Sequence, residues 1–319
     1  MQRENFLKEG YAMNKKKIAV IGGDARMIAA AEYLNRRFCA VLCGFDGREG
    51  GTQIVDSLCC SGGIAERPAS LDGFLMASTP EEALRGCEAV LLPLPALSGA
   101  DISTPFSDRT ISRCELLCAL RKNGVQKLFG GMLGPLADEC RNDGITAVDY
   151  FELGEFVTAN ALLSAEGAVF TAMEELKISI QGARVLVVGN GRIGKLLADK
   201  LAALKAEVTV SARNPVDFAL IKATGLKSAD TNRLTGLLNS ERFDVIFNTV
   251  PARLFDRPVL EAMPKSTLLI DLASKPGGVD IAAAGALGRR VIWALSIPGR
   301  YAPVSAGRAI GEVIERSLG

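Results

Sequence analysis

The residues best placed to do recognisable chemistry form a glycine-rich turn in the second half of the chain. An apolar run, Val185–Val188, leads into the turn, and a helical pattern follows it. In this context the first glycine permits a tight turn, the second lets the backbone approach a pyrophosphate, and the third lets the helix pack closely. The helix N-terminus adds free N–H groups for phosphates. The predicted contacts are Gly189, Asn190, Gly191, Arg192, Ile193 and Gly194.

The alternative interpretation of this turn is structural, a glycine-rich connection in an α/β domain that binds no nucleotide. The residues after the next strand bear on which dinucleotide would bind. An NAD enzyme usually places Asp or Glu there, whereas this chain has Ser211, Arg213 and Asn214 and no acid. Arg213 can form charge-assisted bonds with a 2′-phosphate, with help from the other two. We therefore expect NADP, with NAD as second choice; the alternative for Arg213 is a solvated charge at a strand end.

Two further strand ends are expected to reach the same ligand, because ligands of open α/β sheets lie outside the carboxyl ends of the strands. The short side chains there leave room for a ribose and a nicotinamide. Alternatively, Pro251 and Gly277-Gly278 only punctuate loops. The predicted contacts are Thr249, Val250, Pro251, Leu272, Ala273 and Ser274.

Composition narrows the class of protein. The chain has 319 residues, 48% of them hydrophobic, which suits two domains of ordinary size. Its net charge of +1 predicts no nucleic-acid partner. No continuous apolar stretch approaches the about 18 residues that span a bilayer, so we expect no membrane association and a cytoplasmic location. Histidine is absent, which excludes a Ser-His-Asp triad and a HExxH zinc site.

All eight cysteines fall in the first half of the chain, and none forms a C-x-x-C pair. Metal-ligand spacing is therefore missing, and we predict no metal site. Reduced, mostly buried thiols are the expected state. The cysteines are Cys39, Cys43, Cys59, Cys60, Cys87, Cys114, Cys118 and Cys140.

Both halves alternate short apolar runs with amphipathic stretches, which predicts parallel sheets with crossover helices. The expected fold class is α/β with two doubly wound domains. The C-terminal one is a Rossmann NAD(P)-binding fold and the N-terminal one a flavodoxin- or Rossmann-like parallel sheet. The predicted strands are Lys17–Ile21, Cys39–Cys43, Ala89–Leu92, Lys127–Phe129, Ile145–Val148, Arg184–Val188, Glu207–Ser211, Asp244–Asn248, Leu268–Leu272 and Arg290–Ala294.

This pattern also sets the expected domain boundaries. Residues 1–150 form an α/β domain for the substrate or a partner, with 1–14 disordered. Residues 151–180 are connecting helices, and 181–297 are the NADP-binding domain. Residues 298–319 are a C-terminal helix that packs back between the domains, and the substrate is expected between the domains too.

The first half contains a second glycine turn, Gly22-Gly23, followed by Asp24 and Arg26. It lacks the third glycine, and Asp24 would repel a phosphate, so we expect no second dinucleotide site. Asp24 and Arg26 are then residues of a ligand cleft, or a helix cap with its ion-pair partner.

These and other segments are similar to the A subunits of dipicolinate synthases, the dehydrogenase-like subunits of spore-forming bacteria. The GGDAR segment and the PLP and TPFS segments are the more specific part, because many oxidoreductases share the later glycine turn. The matching segments are 21–26, 93–95, 104–107, 160–161, 165–167, 189–194, 270–274, 276–280 and 298–303.

The resemblance implies oxidation of a cyclic dihydrodipicolinate or hydroxytetrahydrodipicolinate, an intermediate of the lysine pathway, to dipicolinate, for which the expected NADP is the hydride acceptor. It implies a flavoprotein-like B subunit as the partner and a location in the mother cell of a spore former. We also expect the chain to form a homo-oligomer. Two substrate carboxylates then call for cationic and hydroxyl groups. Glu166 is a proton acceptor or, alternatively, a helix-surface carboxylate. The candidate catalytic residues are Arg26, Ser107, Ser164 and Glu166, and the candidate substrate contacts are Asp24, Thr104 and Asn160.

Two rival functions remain open on the sequence. One is another two-domain NADP oxidoreductase that resembles shikimate dehydrogenase, although no strand-end lysine of the kind those enzymes use is evident. The other is a non-catalytic protein that binds NADP and acts through a partner.

Overall fold

Short apolar runs become the strands of two separate parallel sheets. The computed structural model describes residues 15–46 and 71–319, so the expected disorder of 1–14 and the pair Cys59-Cys60 lie outside the described residues. The chain divides into two units. The first comprises Met1–Ala159 and Gly299–Gly319, and the second comprises Asn160–Pro298. We expected boundaries near 150, 180 and 297.

The first unit is a six-stranded parallel sheet with the order β3-β2-β1-β4-β7-β8. This is the Rossmann order rather than the flavodoxin order, and the direction of winding reverses between β1 and β4. A short hairpin, β5–β6, stands apart from the sheet. The strands are β1 (Lys17–Ile21), β2 (Cys39–Cys43), β3 (Leu75–Ala77), β4 (Cys87–Leu91), β5 (Leu97–Ser98), β6 (Asp101–Ile102), β7 (Lys127–Gly130) and β8 (Thr146–Asp149).

The second unit repeats this topology with the order β11-β10-β9-β12-β13-β14, and every strand pair is parallel. The expected two doubly wound α/β domains are confirmed. The sequence analysis missed β11, because its residues KSAD form a polar edge strand without an apolar run. The strands are β9 (Arg184–Val188), β10 (Glu207–Ala212), β11 (Lys227–Asp230), β12 (Val245–Asn248), β13 (Leu268–Asp271) and β14 (Arg290–Trp293).

Helices cover the sheets and connect their strands. Their bounds are α1 (Ala25–Leu34), α2 (Pro80–Ala83), α3 (Arg113–Asn123), α4 (Pro135–Asn142), α5 (Gly154–Glu175), α6 (Arg192–Ala203), α7 (Pro215–Ala223), α8 (Leu234–Ser240), α9 (Arg257–Ala262), α10 (Ile281–Ala286), α11 (Ile297–Tyr301) and α12 (Pro303–Leu318).

The C-terminal helix α12 packs on α1 and belongs to the first unit. Small residues explain this packing. A Cβ added to Gly307 would lie 2.2 Å from the carbonyl oxygen of Arg26, and one added to Gly311 would lie 2.7 Å from the ring of Tyr33. Because α1 is apolar on nearly all sides, it needs cover on both its sheet face and its outer face. The expected packing of residues 298–319 back between the domains stays a prediction.

The long helix α5 takes the place of the expected connecting helices at 151–180, and the division between the units crosses it. Its length and composition suffice to cross a membrane, although half of its most apolar window is buried within the structure. A buried core helix passes the same test, so this is weak evidence for a span. The sequence predicted helix in this segment but no apolar stretch long enough to span a bilayer, because Asn, Ser, Thr and Gly interrupt its apolar residues.

Gly307→Ala is expected to lower the free energy of unfolding of the first unit by about 1–3 kcal/mol, the usual cost of overpacking a close contact. Urea unfolding, with amide hydrogen exchange of α1 to localise the effect, measures it. The matched control is Gly154→Ala, whose added Cβ meets no atom within 4 Å and which should leave stability nearly unchanged. A Gly307→Ala protein as stable as the control would contradict the close packing of α12 on α1.

Candidate functional site

The glycine turn after β9 has the geometry that its three glycines predict. Gly189 has a φ of +104°, and a Cβ there would lie 2.4 Å from Thr249 Oγ1. A Cβ on Gly194 would lie 2.0 Å from the carbonyl oxygen of Gly189, so α6 closes directly onto the turn. A Cβ on Gly191 would meet nothing within 4 Å. Two glycines therefore serve packing, and the third leaves an open approach to the backbone.

The N-terminus of α6 lies at this open approach. Gly191 is the N-cap residue, and no side chain caps the helix. The first helical bond joins Lys195 N to Gly191 O at 3.0 Å. The N–H groups of Arg192, Ile193 and Gly194 consequently have no partner within the helix. An uncapped helix N-terminus beside exposed backbone fits the pyrophosphate of a dinucleotide.

Asp217 ties this turn to the neighbouring loop. Asn190 Nδ2 donates to Asp217 Oδ1 at 2.9 Å, and Asn214 Nδ2 donates to Asp217 Oδ2 at 2.7 Å. Asn214 in turn caps α7 by accepting from Asp217 N at 2.8 Å. Asn190 and Asn214 are therefore held by a shared carboxylate. Sequence reasoning missed Asp217, although an acid three residues after Asn214 is the spacing of a capping pair.

The three residues at the end of β10 that were predicted to select the cofactor have different surroundings. Ser211 is fully buried, and its hydroxyl accepts from Thr231 Oγ1 at 3.0 Å. It fastens β10 to the segment after β11, which leaves it unsuited to a 2′-phosphate at the surface. Arg213 is exposed and forms no ion pair with any residue that the structure describes. Of the three, Arg213 is the one available cation.

The ends of β12 and β13 meet in a buried polar network. Asn248 and Asp271 are register partners, and Asn248 Nδ2 donates to Asp271 Oδ1 at 2.8 Å. Asp271 also accepts from Ala273 N at 3.1 Å and Gly278 N at 2.8 Å. Asn248 binds both polar groups of Val250. Sequence reasoning missed this pair, although a polar residue ending each of the apolar runs VIFN and LLID was a signal.

The predicted contacts on these two loops have different surroundings. Thr249 Oγ1 donates to Val188 O at 2.9 Å, which links β12 to β9. Pro251 and Ser274 are exposed, Val250 is half-buried, and Leu272 and Ala273 are buried. Trp293, the chain's one tryptophan, donates from Nε1 to Ala273 O at 3.0 Å. The loop from Leu272 to Gly278 is therefore anchored at both ends.

In the first unit, Arg26 is committed to the chain itself. It is 7% exposed, and Nε and Nη2 bind the Asp24 carboxylate at 2.9 and 2.8 Å. Nη2 also donates to Leu94 O at 2.5 Å, while Asp24 caps α1 by accepting from Arg26 N. Burial acts to lower the pKa of Arg26, but Asp24 raises it overall. These are the contacts of a helix cap with its ion-pair partner; Nη1 takes part in none of these bonds.

The hydroxyls of Thr104 and Ser107 also have local partners. Ser107 Oγ donates to Asp46 Oδ1 at 2.7 Å, and Thr104 Oγ1 donates to Arg109 O at 3.2 Å. The same segment fills the first glycine turn, because Gly23 N donates to Ser103 O at 2.7 Å. The Gly23 N–H, which a bound phosphate would need as a donor, is therefore already hydrogen-bonded to a backbone carbonyl.

The candidates on α5 have contacts typical of a helix. Ser164 Oγ donates to Asn160 O at 2.7 Å, one turn earlier, and its side chain is buried. Glu166 is exposed and pairs with Lys200 Nζ at 3.0 Å. This matches the alternative of a helix-surface carboxylate for Glu166.

Burial raises the pKa of several groups that could have transferred protons. The pKa of Cys43 rises to about 12, and those of Cys87 and Cys140 rise to about 11. Burial likewise raises the pKa of Tyr150, whose hydroxyl donates to Leu92 O at 3.1 Å. These thiols and this phenol stay protonated at neutral pH. Cys114 and Cys118, in contrast, are exposed.

Each half of the chain matches the model of a known protein family. Residues 17–151 match the N-terminal domain of the dipicolinate synthase A subunit, and residues 155–291 match the NAD-binding domain of D-isomer specific 2-hydroxyacid dehydrogenases. The dipicolinate synthase A subunit of Bacillus subtilis is 29% identical over 95% of each chain. The chain is a homologue of the dipicolinate synthase A subunit.

Solved structures agree with this assignment. The dipicolinate synthase A subunit from Bacillus halodurans is 28% identical with a TM-score of 0.79, covering 95% of this chain and 98% of that one. Its counterpart from Bacillus subtilis is 28% identical with a TM-score of 0.78, covering 97% of each chain. The chain is thus an NAD(P)-dependent oxidoreductase, and its second unit matches a nicotinamide dinucleotide-binding domain.

Gly191→Val is expected to abolish dinucleotide binding and leave the fold intact, because the added side chain enters open space that the pyrophosphate needs. Thermal unfolding with and without NADP measures both effects. The unliganded melting temperature should match the wild type, and NADP should no longer raise it. Gly194→Ala provides the contrast, since its Cβ collides with the Gly189 carbonyl and should lower the unliganded melting temperature. A full NADP-dependent shift in Gly191→Val would place the phosphates elsewhere.

Proposed function

We propose that the protein oxidises a cyclic dihydrodipicolinate, or the hydroxytetrahydrodipicolinate that precedes it, to dipicolinate with NADP as hydride acceptor. The observation that carries the proposal is the uncapped N-terminus of α6 behind the open side of Gly191, in a homologue of the dipicolinate synthase A subunit. A dinucleotide fits that backbone. The relative's name supplies the product.

The oxidised nicotinamide cofactor is the only oxidant that the proposed reaction needs. The dihydropyridine ring loses one hydride to the oxidised nicotinamide and one proton to water or a side chain, which yields an aromatic pyridine and reduced cofactor. The hydroxytetrahydro form first loses water. Aromatisation drives the reaction, so a chain without histidine needs only modest acid–base help. Bound cofactor supplies the hydride acceptor; this chain holds the dinucleotide and orients the substrate.

Cofactor choice rests on Arg213. The end of β10 carries no acid, and Arg213 is exposed without an ion-pair partner among the described residues. The 2′-phosphate of NADP would supply an ion-pair partner for Arg213. Asp217 lies nearby along the chain, but both of its carboxylate oxygens accept from asparagine side chains. NADP is therefore preferred over NAD.

For the substrate carboxylates, Arg26 and Thr104 remain the proposed contacts in the first unit. Arg26 Nη1 is not engaged by Asp24 or Leu94, and the ion pair with Asp24 fixes its direction. In the second unit, Asn160 is half-buried on α5. Ser164 and Glu166 are weaker candidates for the substrate site, because Ser164 is hydrogen-bonded to the carbonyl of Asn160 and Glu166 to the ammonium group of Lys200.

The name shared by the relatives, which denotes one of several chains, indicates a multi-subunit enzyme. We propose that the partner is a flavoprotein-like B subunit, with self-association of this chain. Turnover is therefore to be assayed with and without that partner.

The decisive assay supplies the purified chain with NADP and freshly generated cyclic substrate. Dipicolinate should appear by mass spectrometry in step with reduced nicotinamide, one for one, in the presence of the B subunit. NADP binding without either product, with or without that partner, would favour the non-catalytic interaction protein instead. Oxidation of shikimate but not of the cyclic substrate would favour the shikimate dehydrogenase-like alternative.

Arg213→Ala should weaken NADP binding by about 1.5–3 kcal/mol, the range for a hydrogen bond to a charged group, and leave NAD binding nearly unchanged. Calorimetric titration with both cofactors measures the difference. Arg233→Ala is the matched control, because Arg233 is also exposed and lies just after the neighbouring edge strand β11. Equal losses for NADP and NAD would show that Arg213 does not contact the 2′-phosphate.

A further inference from the structure

Asp271 is a carboxylate buried at the carboxyl end of β13. Its exposed fraction is 1%. Its three hydrogen-bond partners are Asn248 Nδ2, Ala273 N and Gly278 N, all neutral donors. It forms no ion pair with any lysine or arginine of residues 15–46 and 71–319. Every contact suits an anion, because none offers an acceptor for a carboxyl proton.

This arrangement is costly for a purely structural role. Neutral donors offset only part of the free energy lost when a carboxylate leaves water. A neutral side chain could also hold a loop through backbone N–H groups. Among the described residues no lysine or arginine balances the charge of Asp271, which leaves a bound cation as the group that would balance it.

The position of Asp271 indicates which cation this is. In a doubly wound sheet the dinucleotide crosses the carboxyl edge where the winding reverses, here between β9 and β12. The turn after β9 receives the pyrophosphate and the end of β10 receives the adenosine half. The nicotinamide half then lies on the side of β12 and β13, where Asn248 and Asp271 are neighbours.

We propose that Asp271 is a fixed negative charge that favours the oxidised nicotinamide, which carries a positive charge, over the reduced and neutral ring. Charges interact strongly across a poorly polarisable interior, so a buried carboxylate acts on the ring without touching it. An enzyme that oxidises its substrate gains by holding the oxidised cofactor and releasing the reduced one. The inference rests on the proposed dinucleotide site and adds a preference for redox state.

The test compares the dissociation constants of oxidised and reduced NADP for the full-length protein. Energy transfer from Trp293 to reduced nicotinamide reports binding of the reduced form, and competition reports the oxidised form. Asp271→Asn should weaken the oxidised form about tenfold relative to the reduced form, which is about 1.4 kcal/mol. Asp271→Glu keeps the charge and should keep the wild-type ratio.

Asn248→Ser is the structural control. It removes one hydrogen bond to Asp271 but retains the charge, so any loss of affinity should be equal for both redox forms. If Asp271→Asn does not fold, Asp271→Ser replaces it as the neutral variant. Equal weakening of both forms in the neutral variant would overturn the inference and leave Asp271 as a loop anchor. A wild-type protein that binds neither form would instead contradict the proposed function.

Discussion

The close contact between Gly194 and the carbonyl oxygen of Gly189 fixes the arrangement of the residues expected to bind the cofactor in the second unit. With no side chain at Gly194, α6 can begin against the turn after β9, and its first N–H groups are brought to the carboxyl edge of the sheet. Thr249 then packs against Gly189 and binds the end of β9, so the loop after β12 is aligned on the same contact. Any larger residue at Gly194 would move the helix away and displace these partners together.

Aspartates at strand ends hold the loops of both units. Asp149, at the end of β8, accepts from the backbone N–H groups of Met132, Leu133 and Phe151 and so holds the turn after β7. Asp271 does the same for the loop after β13, but at a fully buried site. Asp149 can share its charge with water, whereas Asp271 cannot. The same local device thus has a different electrostatic consequence in each unit.

The sequence predicted the features that depend on local patterns. The strands built on apolar runs, the roles of Gly189, Gly191 and Gly194, and the α/β class follow from local patterns and from backbone freedom at single positions, whereas the polar edge strand β11 does not. Features that depend on distant partners were not predictable. For Arg26 the sequence left open a ligand cleft or a helix cap with its ion-pair partner, and the Leu94 carbonyl that also engages it lies 68 residues away. Ser211, expected to contact the cofactor, is instead hydrogen-bonded to Thr231. The contact between Asn248 and Asp271 could be predicted only from the register of β12 and β13.

The return of α12 to the first unit has a consequence for the order in which the chain can fold during synthesis. Residues 160–298 are contiguous and can complete their sheet as soon as they leave the ribosome. The first unit is made earlier but lacks the cover for α1 until most of α12 has emerged, since Ile310, Val313 and Ile314 belong to its core. The half that is translated first is therefore the half that matures last. A message truncated near its end would release an NAD-binding domain attached to an unfinished N-terminal unit.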